Sequence, residues 1–345
     1  MKTLAAVLVE LRRPLELVEL EVPALAPGQA LVQIACSGVC HTQVLEVRGY
    51  RGPDRFLPHC LGHEGSGTVL ETGPAVTRVK PGDRVVLSWI KGAGADVPGT
   101  QYSWNGKPVN AGGITTFSRL AVVSENRLTP LDAGIDFAKA ALLGCAIPTG
   151  LGTVFNTAAV RPGQSVAVFG AGGIGSWAVI GAALSGAHPV IAVDRLPEKV
   201  ALAVSLGATH GVCTAGTSGL DEILELCPGG VDVAIEATGR PEVMQQALMA
   251  VRPQGGVAVI VGNAHHGESW PVDPRQLNQG KRILGTWGGD NQPDRDFPRY
   301  QRLMTAGLLS CDRLLTNRYP LTDINRALDD LEAGRVARPL IDMHE

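Results

Sequence analysis

Three residues in this chain could hold a metal: Cys40, His63 and Cys145. They sit in Gly38-Val39-Cys40-His41-Thr42, in Leu61-Gly62-His63-Glu64-Gly65, and in Leu142-Leu143-Gly144-Cys145. Two thiolates and one imidazole suit Zn²⁺, and three protein ligands leave a fourth position for water or substrate, as a catalytic site requires. The types alone do not settle it, because scattered Cys and His residues are commonly separate core residues. The glycines flanking each residue suit turns in which backbone comes close to a ligand or another strand.

The elements that must position such a triple can be read from the rest of the chain. At 345 residues, two domains are expected. Apolar residues make up 45%, charged residues 18%, and the net charge is −3, the profile of a soluble globular enzyme. No Lys/Arg cluster points to nucleic acid or an anionic membrane. The N-terminal run lacks a long apolar region and cleavage site, so it reads as a first strand and not as a signal peptide. Seven cysteines without regular spacing form no disulfide framework, and a reducing, cytoplasmic setting is expected. Pro162–Val193 carries no Asp, Glu, Lys or Arg. Its glycines and its strand–turn–helix pattern make it a buried unit on a parallel sheet, and no membrane span is expected.

Residues 1–147 read as β-rich, with strands at Leu4–Val9, Ala30–Ala35, Gly67–Glu71, Arg84–Leu87 and Phe117–Val123 between Pro/Gly turns. Residues 148–286 alternate. Strands at Ser165–Phe169, Val190–Val193, His210–Cys213, Val231–Glu236, Val257–Val261 and Ile283–Gly285 are interleaved with helices near 174–185, 196–206, 219–226 and 241–250. That pattern means βαβ units and a doubly wound parallel sheet. Residues 287–345 carry two amphipathic helices, near 297–307 and 322–333, and a strand at Arg338–Ile341 that returns to the first domain. The polar, Gly-rich stretch Trp89–Gly113 shows no regular pattern.

Gly170-Ala171-Gly172-Gly173-Ile174-Gly175 is a Gly-x-Gly-x-x-Gly motif, weak by itself among 43 glycines. Its context makes it a nucleotide fingerprint: a strand precedes it, a helix follows, and Asp194 closes the next strand 24 positions after Gly170 (194 − 170). The turn would bring backbone N–H groups to a pyrophosphate at the helix N-terminus. Asp194 would accept from the ribose hydroxyls and repel a 2′-phosphate, so NAD is favoured over NADP. Arg195 argues the other way.

With Cys40, His63 and Cys145 ahead of this unit, the chain resembles the zinc-dependent medium-chain alcohol dehydrogenases over nearly its whole length. The likeness extends to Pro81-Gly82-Asp83-Arg84-Val85, Gly106-Lys107-Pro108-Val109, Thr115-Thr116-Phe117-Ser118, Thr149-Gly150 and Gly334-Arg335-Val336-Ala337-Arg338. The resemblance implies an α/β fold, a GroES-like β domain plus a Rossmann domain with the active site in the cleft between them. It implies zinc on Cys40, His63 and Cys145, with Glu64 a carboxylate near enough to approach the metal. Thr42 would bond the substrate oxygen and start a proton relay. His41 and Arg338 would meet the cofactor pyrophosphate and Lys199 the adenosine ribose. Thr149 would lie beside the nicotinamide, with Thr238, Val261, Gly285 and Trp287 also on the cofactor. Tyr50 and Trp89 would line the substrate pocket, and Arg51 hints at a polar substrate. A small-molecule alcohol, aldehyde or ketone partner and a homodimer or homotetramer follow from the same likeness.

Two departures matter. Ser88–Gly113 contains no Cys, so the structural zinc of many relatives is not expected, leaving one zinc per chain. Leu45 stands where some relatives end a proton relay on His, and Gln43 replaces the Asp that orients the zinc-bound His, which would weaken that support. Bound zinc would polarise an alcohol or carbonyl oxygen while hydride passes to or from NAD. A zinc-free reductase of the same superfamily and a non-catalytic nucleotide-binding protein are the alternatives. Cys36, Cys60, Cys213, Cys227 and Cys311 are expected as small buried hydrophobes, and His59, His265 and His266 as non-ligands.

Overall fold

Two kinds of apolar pattern split the chain, and each builds its own sheet system. The computed structural model describes residues 1–215, 218–315 and 317–344. One unit comprises Met1–Cys145 with Gln292–Glu345, the other Ala146–Asn291.

The first unit holds a closed barrel of five strands, Lys2–Leu8, Glu16–Glu21, Gln101–Trp104, Lys107–Asn110 and His59–Cys60. Beside it lies a seven-stranded sheet whose central member is the ten-residue strand Gln29–Gly38. That strand pairs antiparallel with Glu64–Thr72, with Leu120–Ser124 and with the C-terminal strand Leu340–Asp342. The last pairing sets Leu340 opposite Gly38, which carries the C-terminal return expected from sequence to the segment just before Cys40. Inward-facing Leu8, Val32, Ile34, Val85, Leu87 and Phe117, all 0–1% exposed, form the core. Burying each such side chain contributes roughly 1.5–3 kcal/mol before entropy is counted.

The unpatterned stretch Trp89–Gly113 contains a hairpin, Gln101–Trp104 with Lys107–Asn110. Asn105 and Gly106 turn it with φ of 50° and 76°. Asn-Gly is the preferred pair for a turn with two positive φ angles. The strand Glu16–Glu21 and the helix His41–Val47 are also absent from the sequence reading. The C-terminal helix Pro293–Thr305 starts earlier than its apolar pattern suggests, because Pro293 suits the first helical turn.

The second unit is a six-stranded parallel sheet. Its strands run in the order His210–Cys213, Val190–Asp194, Val166–Phe169, Val233–Glu236, Val257–Ile260, Arg282–Gly285. In chain order that is third, second, first, fourth, fifth, sixth, the arrangement of a dinucleotide-binding sheet with its switch point beside the first strand. The four inner strands are runs rich in Val, Ile and Ala, buried on both faces. The uncharged stretch after Pro162 resolves into the strand Val166–Phe169 and the helix Gly173–Leu184. Among the described residues no single helix is long and apolar enough to cross a membrane.

Candidate metal and cofactor sites

The first unit brings the three metal-type residues together. One ligand atom from each of Cys40, His63 and Cys145 lies within 4.8 Å of the others. Cys40 caps the helix His41–Val47 at the end of the long central strand. His63 immediately precedes the strand Glu64–Thr72, and Cys145 follows the short helix Leu142–Gly144. Gly144 has to be glycine: a Cβ there would stand 2.3 Å from the Leu87 carbonyl oxygen and 2.7 Å from Glu64 Cα.

The donor set fits zinc. His63 Nε2 is a buried polar atom with no hydrogen-bond partner among the described residues. Such an orphan costs about 1–3 kcal/mol unless something satisfies it. The ring's other nitrogen is close to the same side chain: Gln43 Nε2 and His63 Nδ1 lie 2.6 Å apart, while Gln43 Oε1 accepts from the Cys40 N–H at 3.0 Å. Gln43 thus contacts one ligand's ring and another's backbone. The thiols are paired as well. A hydrogen bond from Cys145, helped by Arg338 and His63, holds the Cys40 thiol well below its usual range against burial. The same bond, with burial, pushes Cys145 well above it.

Glu64 and Arg338 lie behind the triple, 0% and 3% exposed, and the Arg338 guanidinium donates to Glu64 Oε1. The resemblance gave these two residues separate duties; the structure makes them an ion pair. Thr42 lies in the helix after Cys40, and its hydroxyl oxygen accepts from Cys40 Sγ at 3.7 Å. His41 opens the same helix and is exposed. The Trp89 ring stands edge-on to His63 with centroids 6.4 Å apart, and its backbone N–H donates to the His63 carbonyl. Tyr50 is 42% exposed on the loop after the helix.

The second unit carries the cofactor candidates. Gly170, with φ of 89°, turns the chain out of the first strand, and the helix begins at Gly173. A Cβ at Gly175 would lie 1.7 Å from the Gly170 carbonyl oxygen, so this position accepts only glycine. Gly172 caps the helix, and Ile174 lies in its first turn. Asp194 closes its strand and braces this turn: Oδ2 accepts from Ala171 N at 2.8 Å and Oδ1 from Leu196 N at 3.0 Å. A cavity of about 430 Å³ opens beside it, lined by Arg195, Leu196, Thr214, Arg240, Val243 and Gln246. Arg240 gave no signal in the sequence reading, since its neighbourhood in the chain is an ordinary helix start. Lys199 is half-buried in the helix Pro197–Ser205. Thr238 gives both its N–H and its hydroxyl to Glu236 Oε1. Val261 gives its N–H to the Glu236 carbonyl, and Thr149 is buried in the helix Ala146–Gly152. Gly285 ends the edge strand, and Trp287 beyond it is 82% exposed.

Of the remaining cysteines, Cys36, Cys60, Cys227 and Cys311 are buried as expected, but Cys213 is exposed, because its strand is the outermost of the sheet. His59 is hydrogen-bonded to Asp54, and His265 and His266 are exposed.

Residues 26–133 match the alcohol dehydrogenase GroES-like domain, and residues 173–306 match the zinc-binding dehydrogenase family. An S-(hydroxymethyl)glutathione dehydrogenase of Synechocystis sp. is 35% identical, over 99% of this chain and 100% of that protein. The crystal structure of an alcohol dehydrogenase zinc-binding domain protein from Burkholderia ambifaria superposes with a TM-score of 0.92 at 32% identity, covering 99% of each chain. Benzyl alcohol dehydrogenase from Acinetobacter calcoaceticus gives 0.90 at 30% identity, again over 99% of both. The chain belongs to the zinc-dependent medium-chain alcohol dehydrogenase family.

Proposed function

We propose that this chain is an NAD-dependent zinc alcohol dehydrogenase that interconverts a primary alcohol, aromatic ones included, and its aldehyde. The observation that carries the reading is the buried Cys40–His63–Cys145 cluster with the orphaned His63 Nε2. When bound, zinc supplies Lewis-acid polarisation of the substrate oxygen and NAD⁺ accepts the hydride. The chain's own residues do the rest. Cys40, His63 and Cys145 would hold the metal. Thr42 would accept the hydroxyl proton of the alcohol. Trp89 offers an aromatic wall beside His63, and two of the relatives are named for hydroxymethyl and benzyl alcohols. A zinc-free reductase would have no use for the intact triple.

The test is an initial-rate screen with zinc-loaded protein: benzyl alcohol, S-(hydroxymethyl)glutathione, 2-butanol and sorbitol, each with NAD⁺ and NADP⁺. Primary alcohols with NAD⁺ should lead, and zinc should be found at about one ion per chain. Zinc-loaded protein without nucleotide-linked oxidation of any alcohol sinks the reading.

Asp194 should set the nucleotide preference. Asp194→Asn keeps an acceptor for Ala171 and removes the charge. A charge-assisted hydrogen bond contributes about 1.5–3 kcal/mol, so the kcat/KM ratio of NADP⁺ to NAD⁺ should rise roughly 10- to 100-fold. A wild type that already prefers NADP⁺ would show that Arg195 and Arg240 outweigh Asp194.

A homodimer belongs to the same proposal. The outermost strand Arg282–Gly285 and the 82%-exposed Trp287 and 38%-exposed Leu284 form an apolar sheet edge suited to a second copy. Light scattering should give a multiple of the 36.1 kDa chain mass, and Trp287→Asp should shift it toward monomer. A monomeric wild type at micromolar concentration overturns this part. A cytoplasmic setting completes the reading, supported by seven cysteines without the spacing of a disulfide framework.

A further inference from the structure

Thr42 lies near the start of the helix His41–Val47, and one turn later the same face returns at positions 45 and 46. Leu45 is 6% exposed and has no group that takes a proton. Glu46 has one. Its side chain is only 22% exposed, and its Oε1 accepts from Arg51 Nη1 at 2.9 Å. Arg51 is 57% exposed, so the pair runs from the half-buried side of the helix to solvent. The charges around Glu46 are His63 and Cys40 on the side of the metal cluster, with Arg51 and His59 elsewhere. His59 Nε2 is hydrogen-bonded to Asp54 Oδ2 at 2.7 Å. Also on this helical segment, Arg48 is taken up by Asp329 and Glu332 and makes no competing claim on Glu46.

We propose that Glu46 receives, by way of Thr42, the proton released on alcohol oxidation and passes it to solvent beside Arg51. This rests on the dehydrogenase reading above. The balance is simple. The carbinol C–H bond breaks with its electron pair going to the nicotinamide ring, the O–H bond breaks, and the carbonyl forms. The O–H proton goes to the Thr42 hydroxyl, whose own proton passes through bridging water to the Glu46 carboxylate, four residues and so about 6 Å of helix rise along. Glu46 then releases one proton to bulk water, and the relay is back at its start. Burial holds the Glu46 carboxyl above the ordinary carboxylate range despite His63, Arg51 and His59, which makes it a better acceptor than an exposed acid.

Glu46→Gln keeps the shape and an acceptor for Arg51 but takes no proton. Zinc content, far-UV circular dichroism and NAD⁺ affinity should match wild type. The kcat for benzyl alcohol at pH 7 should fall roughly 10²-fold, the low end of what a positioned acid or base contributes. The acid limb of the kcat–pH profile should change, and high imidazole buffer should restore part of the rate in the variant only. Glu46→Asp should retain the limb. A second readout needs no turnover. Adding the unreactive alcohol trifluoroethanol to the enzyme–NAD⁺ complex should raise a transient protonated-carboxyl C=O band in the time-resolved infrared difference spectrum, before the proton leaves for bulk water. That band should be absent in Glu46→Gln and shifted in Glu46→Asp. An active wild type whose Glu46→Gln variant keeps kcat within twofold, with the same pH profile and no buffer dependence, overturns this proposal alone. If Glu46→Gln does not fold, the infrared comparison of wild type with Glu46→Asp decides, and a missing or unshifted band overturns it. A zinc-loaded wild type that oxidises nothing sinks the dehydrogenase reading and this proposal together.

Discussion

Replacing Cys40 with serine should remove most of the zinc and lower kcat/KM by about three orders of magnitude. A serine hydroxyl is too weak an acid to supply the anion that a thiolate supplies, so the site is left with one thiolate and one imidazole. The charge stabilisation lost with the metal is several kcal/mol, and each ~1.4 kcal/mol is a factor of ten. The substitution separates metal loss from misfolding. Cys40 is the residue before the first turn of the helix His41–Val47, a position where serine is among the favoured residues, so the helix should persist. Cys60 supplies the control. It is 4% exposed and burial pushes its thiol up to about 12, so it stays a neutral small side chain. Cys60→Ala should therefore keep its zinc at a modest cost in stability. Metal analysis by mass spectrometry beside initial rates checks both. Full zinc with unchanged turnover in Cys40→Ser would remove the cluster from the chemistry.

The parts of this site that were legible in the sequence are those set by local pattern. The strand–turn–helix after Pro162 announces itself because a parallel strand buried on both faces has to be apolar throughout, and because Gly170 and Gly175 occupy positions that reject a side chain. The metal triple was visible as residue types, but only the pairing of Gln29–Gly38 with Glu64–Thr72 and Leu340–Asp342 brings its surroundings together. What could not be read is what depends on side chains far apart in sequence. Arg338 and Glu64 are 274 positions apart, and neither carries a local sign that it has a partner. Gln43 looked like the loss of a support; the geometry shows an amide that holds both the His63 ring and the Cys40 backbone. Glu46 drew no attention beside Leu45, because its role depends on which way a seven-residue helix faces. The hairpin at Asn105-Gly106 is a different case. Its turn signal was present, but only four residues of strand flank it on each side, too few for alternation to show.

Glu64→Ala should be the most damaging single substitution for the first unit's stability, at about 3–5 kcal/mol. Arg338 is 3% exposed and Glu64 0%, so removing the acid strands a guanidinium away from water. Burial by itself would pull the Arg338 charge down. The Glu64 carboxylate, with Cys40 and Cys145, is what holds it in the charged form. Its Nε is already buried without a hydrogen-bond partner, so once Glu64 is gone only the two cysteines are left to offset the charge. The space is equally committed: a Cβ at Gly38 would lie 2.6 Å from the Glu64 carboxyl, so the backbone of the long central strand closes over this side chain. The double variant Glu64→Ala with Arg338→Met separates charge from packing. If the stranded charge dominates, the double variant should be more stable than Glu64→Ala alone, since an apolar stem tolerates burial and the uncompensated charge has gone. Guanidinium unfolding followed by the fluorescence of Trp89 and Trp104 in this unit measures both. A loss below about 1 kcal/mol in Glu64→Ala, or a double variant no better than the single one, would mean that packing, and not the ion pair, fixes the C-terminal strand beside Cys40.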